Sequence, residues 1–314
     1  MRIIFLGSDA FALGPLQQLI DAGRAPGLVV TMPDRQSGRG RQLKPTPIKT
    51  LALAHGIEVW TPATIRDDEA LERLKAFNPD VLVCVAYGRI LPPTWLSMPW
   101  ALNIHPSILP RWRGATPLEH TLLAQDELAG VSIIRMSPEV DAGEIVWQST
   151  RVLEGYEQTK TLGEALFAEG GEALIMLLKQ IEQGQPLKPI AQDDQTVTLA
   201  PKFTKQDGAI DWHQSAKAID ARIRALHQWP TAYTAIGNIE PVKIHQATWR
   251  DEHEDVAPGT LVGKDHDMLW VQCSQGQLGI QVIQFPGKKA ISVPQLQGYK
   301  DLIYVGNTFI TRNT

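Results

Sequence analysis

An α/β domain built on a mostly parallel sheet, followed by a small antiparallel β-barrel, is the fold that this 314-residue sequence predicts. Three observations carry it. Short apolar runs alternate with helical patterns through the first half, the rhythm of strand-helix-strand units with helices on both faces of a sheet. A polar stretch over 185–208, with Pro186, Pro189, Pro201, Gly208 and the run Gln192-Asp193-Asp194-Gln195, then breaks that rhythm. Beyond it, short β-type segments succeed one another with turn residues between them, as in a closed antiparallel sheet. The length also exceeds what one core usually holds. The expected division is a first domain over 1–184, a linker over 185–208 and a second domain over 209–314.

In chain order, Ile3 to Leu6 reads as a first buried strand, and a helix is expected from Pro15 to Ala22 after Gly14. Leu28 to Thr31 is the next strand. Thr46 followed by Pro47 has the pattern of an N-cap with proline at the first helical position, and Asp67 or Asp68 caps a helix ending near Phe77. Val81 to Ala86 and Ala101 to Ile104 are further strands, followed by Val131 to Met136 and a strand from Ile145. From Thr161 to Gln183, Leu162, Leu166, Leu174, Leu177, Leu178 and Ile181 recur at helical spacing before Gly184. After the linker come one helix, Gln214 to Leu226, and five strands: Thr231 to Ile236, Val242 to Trp249, Gly259 to Val262, Met268 to Cys273 and Leu278 to Phe285.

Bulk properties narrow the class. The apolar start turns polar at Ser8-Asp9, too soon for a signal peptide or a membrane span. Cys84 and Cys273 lie far apart with no partner at metal-ligand spacing, which argues against a disulfide framework and a structural zinc site. A reducing compartment, the cytoplasm, fits that usage, and Cys84 reads as packed core. The net charge of -4 gives no general footprint for nucleic acid. One stretch departs from it: from Pro33 to Thr50, Arg35, Arg39, Arg41, Lys44 and Lys49 face the single acid Asp34, a local charge of +4. Most such runs are solvated loops.

The segment richest in chemistry is Asn103-Ile104-His105-Pro106-Ser107-Ile108-Leu109-Pro110-Arg111-Trp112-Arg113-Gly114. Alternate residues of a strand share a face, so Asn103 and His105 point together, and Pro106 ends the ladder. An amide donor beside an imidazole at a strand end can polarise a carbonyl and move a proton, as acyl or formyl transfer requires. Taken alone, Asn-x-His is more often structural. Asp141, in the turn Asp141-Ala142-Gly143, could orient that imidazole, although from spacing alone an ordinary Asp-x-Gly turn is the favoured reading.

Asn103-Ile104-His105, Ser107-Ile108-Leu109-Pro110, Arg111-Trp112-Arg113-Gly114 and Asp141-Ala142-Gly143-Glu144-Ile145 together resemble the 10-formyltetrahydrofolate-dependent formyltransferases. Pro33-Asp34-Arg35, Gly38-Arg39-Gly40-Arg41 and Pro45-Thr46-Pro47-Ile48-Lys49 are similar to the basic loop that the methionyl-tRNA-directed members aim at the tRNA acceptor end. The likeness runs on through Val85-Ala86-Tyr87-Gly88, Lys202, Lys205, Ile210-Asp211-Trp212, Trp229-Pro230 and Pro286-Gly287-Lys288-Lys289-Ala290, nearly the whole chain.

That resemblance implies a Rossmann-like catalytic domain and a C-terminal barrel similar to an OB-fold that binds tRNA. It implies Asn103, His105 and Asp141 as catalytic residues, with Ser107, Ile108, Leu109, Pro110, Tyr87 and Gly88 lining a folate site. Arg35, Arg39, Arg41, Lys44, Lys202 and Lys205 are the implied tRNA contacts. The donor would be 10-formyltetrahydrofolate with no metal, and the partner initiator methionyl-tRNA, in a cytoplasmic, monomeric enzyme of translation initiation without membrane attachment. Two features depart from the pattern. Arg135 to Val140 replaces the Gly-Leu pair that commonly precedes this Asp, and Ala209 to Thr314 holds ten basic and ten acidic residues where a tRNA-binding barrel would be positive.

Other classes are weighed against this. Gly7-Ser8-Asp9 after the first strand lacks G-x-G-x-x-G, which disfavours a dinucleotide site. A tRNA-binding module without catalysis would keep the Arg-rich loop but has no use for Asn103, His105 and Asp141 together. A formyltransferase acting on a nucleotide-linked amino sugar would share the catalytic half and lack a role for the Arg39 loop.

Overall fold

The computed structural model describes residues 1–37 and 42–311, and its contacts divide the chain into two compact units. The first comprises Met1–Pro117, Leu128–Val152 and Leu162–Ala200; the second comprises Leu118–Glu127, Leu153–Thr161 and Pro201–Thr314.

In the first unit, β1 (Ile3–Gly7), α1 (Leu13–Asp21), β2 (Leu28–Val30), β3 (Arg35–Ser37), β4 (Gln42–Lys44), α2 (Pro47–Ala54), β5 (Glu58–Trp60), α3 (Asp68–Phe77), β6 (Val81–Val85), α4 (Pro93–Leu96) and β7 (Trp100–His105) follow in sequence. The chain continues through β8 (Arg113–Gly114), α5 (Pro117–Leu123), which groups with the second unit from Leu118 on, then β9 (Leu128–Arg135), β10 (Ile145–Val152), α6 (Thr159–Glu182), of the first unit from Leu162 on, and β11 (Leu199–Ala200). The main sheet has the order β10-β9-β7-β6-β1-β2-β5, with β7 through β5 mutually parallel and β9 and β10 antiparallel. Each residue of β1 and β6 is buried, which is why both read as unbroken apolar runs rather than alternations. The chain runs outward from β1 to β2 and β5, then returns to place β6 on the other side of β1. Such a reversal opens a crevice at the carboxyl ends of the strands, where ligands of open α/β sheets bind.

Local signals set most boundaries. Thr46 Oγ1 accepts from Lys49 N at 3.2 Å with Pro47 opening α2, and Asp67 Oδ1 accepts from Ala70 N at 2.9 Å to cap α3. Asn78, at φ 47°, closes α3 in the left-handed conformation. Helix α1 begins at Leu13, two residues before the expected Pro15. The reason lies upstream: Asp9 Oδ1 accepts from Phe11 N at 3.0 Å and caps a 3-10 turn over Ala10–Ala12 that feeds straight into α1. Pro15 still falls in the first turn, where its missing N–H costs nothing.

In the second unit, α7 (Ala216–Ala225), capped by Ser215, packs on a curled sheet of β12 (Tyr233–Ile236), β13 (Ile239–Arg250), β14 (Leu261–Lys264), β15 (Leu269–Gln272), β16 (Gln277–Gln284), β17 (Ile291–Ser292) and β18 (Phe309–Ile310). The order is β14-β15-β16-β13-β12-β18, with β17 on β16. Its ends meet: Leu261 N donates to Asn307 O and Phe309 N to Gly259 O, each at 2.8 Å, around a Thr260–Thr308 bridge. The sheet thereby becomes the barrel that the sequence predicts. Closure demands glycine at 259, because a Cβ there would lie 2.3 Å from Phe309 O. Trp212, Ile219, Ile223, Val242, Ile244, Leu278 and Ile280 form its core, and the Trp212 indole donates to Thr234 Oγ1 at 3.0 Å. Among the described residues no helix is long and apolar enough to cross a membrane.

Residues 185–200, expected to be a connection, group with the first unit and are stitched to it. Ile190 exchanges both backbone hydrogen bonds with Ile145 at 2.8 and 2.9 Å, and β11 pairs with β8 in parallel.

Candidate active site

Strand β7 delivers Asn103 and His105 to the carboxyl edge of the sheet, on one face as strand alternation requires. Both meet Asp141. Asn103 Nδ2 lies 3.4 Å from Asp141 Oδ1, and His105 Nδ1 lies 3.5 Å from Asp141 Oδ2, although 38 residues separate Asn103 from Asp141 in sequence. Oδ2 also accepts from Gly114 N at 2.9 Å. A carboxylate with its side chain only 13% exposed thus accepts from two donors on two strands, Asn103 Nδ2 and Gly114 N, with the His105 ring beside it.

The His105 ring, 3% exposed, has its second nitrogen committed as well. Nε2 is 2.9 Å from Trp112 O, and a carbonyl can only accept, so the network assigns the proton to Nε2. Nδ1 then faces the Asp141 carboxylate, and a proton arriving there meets a negative group. Trp112 is itself fixed: at φ 64° it donates N–H to Thr198 Oγ1 at 2.9 Å.

Asp141 sits in the connection between β9 and β10, whose path the unusual Arg135 to Val140 segment left open. The connection is a tight hairpin. Arg135 N donates to Glu144 O at 2.9 Å, Met136 N to Ala101 O at 2.7 Å, and Ser137 Oγ to Glu139 O at 3.0 Å. Asp141 takes the left-handed conformation, φ 53°, which Asp adopts more readily than most residues. Gly143 passes so close to Arg135 O that a Cβ would come within 1.8 Å.

The loop after β7 folds over Ser132 and Gln148. Ser132 Oγ donates to Ser107 O at 2.7 Å, Gln148 Nε2 to Leu109 O at 2.9 Å, and Ser107 Oγ to Arg111 O at 2.6 Å. Ser107 and Leu109 are buried and serve that packing, while Ile108 and Pro110 keep accessible surface. On the neighbouring strand end, the Tyr87 side chain is buried and its phenol is pushed up to about 12, chiefly by that burial. Gly88, at φ 80°, is exposed. Cys84 pairs in register with Asn103, yet burial pushes its thiol to about 12, which leaves it a packed core residue.

Two family models cover this chain: formyl transferase over residues 1–178 and formyl transferase C-terminal domain over residues 202–300. The methionyl-tRNA formyltransferase of Marinobacter nauticus is 37% identical over 98% of this chain and 99% of its own length. That of Methylococcus capsulatus is 39% identical over 93% and 94%. The chain belongs to the methionyl-tRNA formyltransferase family. A solved sugar 3N-formyl transferase, in the presence of dTDP and 5-N-formyl-THF, matches with a TM-score of 0.67 over 92% of this chain and 99% of that one. At 17% identity that likeness concerns the fold alone.

For a member of this family, the basic stretch is of interest next. It is a hairpin rather than the expected open loop: Arg35 on β3 stands opposite Lys44 on β4, both exposed, and cross-strand partners share a face. Arg39 and Arg41 lie outside the described residues. Lys49 Nζ reaches both Asp34 oxygens at 2.9 Å, so these two cancel and the local charge resides on the other four. Lys202 and Lys205 are exposed on the second unit. Among the described residues no group of three His, Cys, Asp or Glu side chains could hold a metal ion.

Sequence reading missed Ser132, Gln148, Gln192 and the Gly114 amide. Ser132 carried a faint signal, being a polar residue inside the apolar run of a buried strand, whereas Gln148 opens a polar run and carried none. Gln192 carried none, since it stands in a polar run with the composition of a linker.

Proposed function

We propose that this chain transfers the formyl group of 10-formyltetrahydrofolate to the free α-amine of initiator methionyl-tRNA. The observation that carries the reading is the convergence of Asn103 and His105 on Asp141 at the carboxyl edge of the sheet. The amine attacks the formyl carbon, a C–N bond forms, and the carbonyl pair moves onto oxygen. That oxyanion needs a donor. The Asn103 amide carries two hydrogens; one faces Asp141 and the other can meet the developing charge. His105 is suited to relay the proton lost by the amine, with Asp141 holding the ring and balancing its charge. Collapse breaks the bond to folate N10, which takes a proton and leaves as tetrahydrofolate.

Ile108, Pro110 and Gly88 offer the accessible surface for folate, with Ser107, Leu109 and Tyr87 shaping it from behind. Arg35 and Lys44 on the hairpin, with Arg39 and Arg41 beyond them and Lys202 and Lys205 on the second unit, are the proposed tRNA contacts. The expected first domain, 1–184, supplies the chemistry, and the barrel over 209–314 adds RNA-binding surface. The reading places the enzyme in the cytoplasm, acting as a monomer.

Arg39→Leu is expected to cut kcat/KM for charged initiator tRNA by about tenfold, because a guanidinium can bond a base edge in a fork that leucine cannot supply. Lys44→Ala, losing a phosphate contact alone, should cost less, and its loss should shrink as salt rises. Kinetics at two salt concentrations check both. Wild-type values for Arg39→Leu at each would remove the hairpin from tRNA recognition.

A further inference from the structure

We infer that Gln192 is a positioning residue for formyl transfer, fixing the turn that carries Asp141 and thereby the carboxylate that holds Asn103 and His105. The inference rests on the catalytic reading given above. Gln192 Nε2 donates to Asp141 O at 2.8 Å and to Gly143 O at 2.7 Å, so both amide hydrogens are spent on the two ends of one turn. Its Oε1 accepts from Arg113 Nε at 3.0 Å, and the same guanidinium reaches Asp194 at 3.0 Å. The side chain is therefore held at its own acceptor end while it grips the turn. Two acceptors at alternate positions of one chain can meet a single NH2 group only while the chain between them is bent, so Gln192 holds the turn closed.

The geometry explains why this grip matters for the reaction. The contacts of Asp141 with Asn103 and His105, at 3.4 and 3.5 Å, already stand at the long end of hydrogen bonding. A shift of the turn by a few tenths of an ångström would open them, and misplacement on the scale of 1 Å costs about a hundredfold in rate. The loss would be local. The segment holding Gln192 is anchored by backbone bonds that its side chain does not make: Ile190 to Ile145 on one side, and Arg113 N to Thr198 O at 2.9 Å with Ala115 N to Ala200 O at 2.9 Å on the other.

The test uses full-length Gln192→Ala, Gln192→Glu, Asp141→Asn and the Gln192→Ala/Asp141→Asn double variant, in single-turnover and steady-state formylation of methionyl-tRNA. Gln192→Glu keeps the volume and the acceptor for Arg113 but turns the donor into an oxygen facing two carbonyls, so it serves where Gln192→Ala loses its fold. Both single Gln192 variants should lower kcat by about tenfold or more, with KM for tRNA within about twofold of wild type. In the Asp141→Asn background, Gln192→Ala should cost less than about twofold further. Wild-type kcat in Gln192→Glu, or losses that multiply fully in the double variant, would overturn the inference and reduce Gln192 to packing. A slow Asp141→Asn beside a fast Gln192→Ala would sink this inference alone; a fast Asp141→Asn would sink the catalytic trio beneath it.

Discussion

Replacing Asn103 or His105 with alanine is expected to lower the rate of formyl transfer by on the order of a hundredfold or more, the loss seen when an oxyanion donor or general base is removed. The physical ground is that both side chains converge on one partly buried carboxylate at the carboxyl edge of the sheet. Each acts on charge that develops only in the transition state, so kcat should fall while KM for folate and tRNA stays near the wild-type value. Folding should survive in Asn103→Ala, since Asn103 is half-buried and Asp141 keeps the Gly114 N–H. His105→Ala opens a larger gap, and circular dichroism with a thermal scan separates misfolding from lost chemistry. Near-normal turnover in both variants would remove them from the mechanism.

Gly143→Ala is expected to damage fold and activity together. Its new methyl carbon would lie 1.8 Å from Arg135 O, a backbone atom at the end of β9, so the chain itself must move. Overpacking of that kind costs about 1–3 kcal/mol. The same movement displaces Asp141, two residues away, and with it the contacts to Asn103 and His105. Gly14→Ala is the control: it lies inside α1 with nothing within 4 Å of the added carbon, and should stabilise by roughly 0.5–1 kcal/mol. Urea midpoints measure both. A Gly143→Ala protein as stable and as active as wild type would show that the hairpin yields without consequence.

Legibility in the sequence followed the range of the interaction that fixes each element. Strands β1 and β6 were readable because burial on both faces leaves an unbroken apolar run, and α2 and α3 because Thr46 and Asp67 cap amides three residues on, with Pro47 opening α2. The hairpin of β3 and β4 was not, since Arg35, Gln36, Leu43 and Lys44 are all exposed and the sequence of the two strands shows no apolar alternation. β18 escaped for a related reason: two residues, Phe309 and Ile310, are a strand only through pairing with β12 at the end of the sheet. The site divides the same way. Asn103 and His105 share a strand, so alternation alone set them side by side. Asp141 joined them through family resemblance, because no local spacing reports a contact across 38 residues. Gln192 depends on a polar irregular segment lying against the hairpin, which composition described as linker.

The most direct measurement is to incubate the wild-type chain with 10-formyltetrahydrofolate and equal amounts of initiator methionyl-tRNA and a nucleotide-linked amino sugar, and to follow formyl label into each product. The account predicts label on the methionine α-amine, formed at a rate that falls about a hundredfold or more in Asn103→Ala, with the sugar left unmodified. Label on the sugar amine and none on the tRNA would contradict it, leaving the fold and the catalytic edge in place but assigning them to a different acceptor.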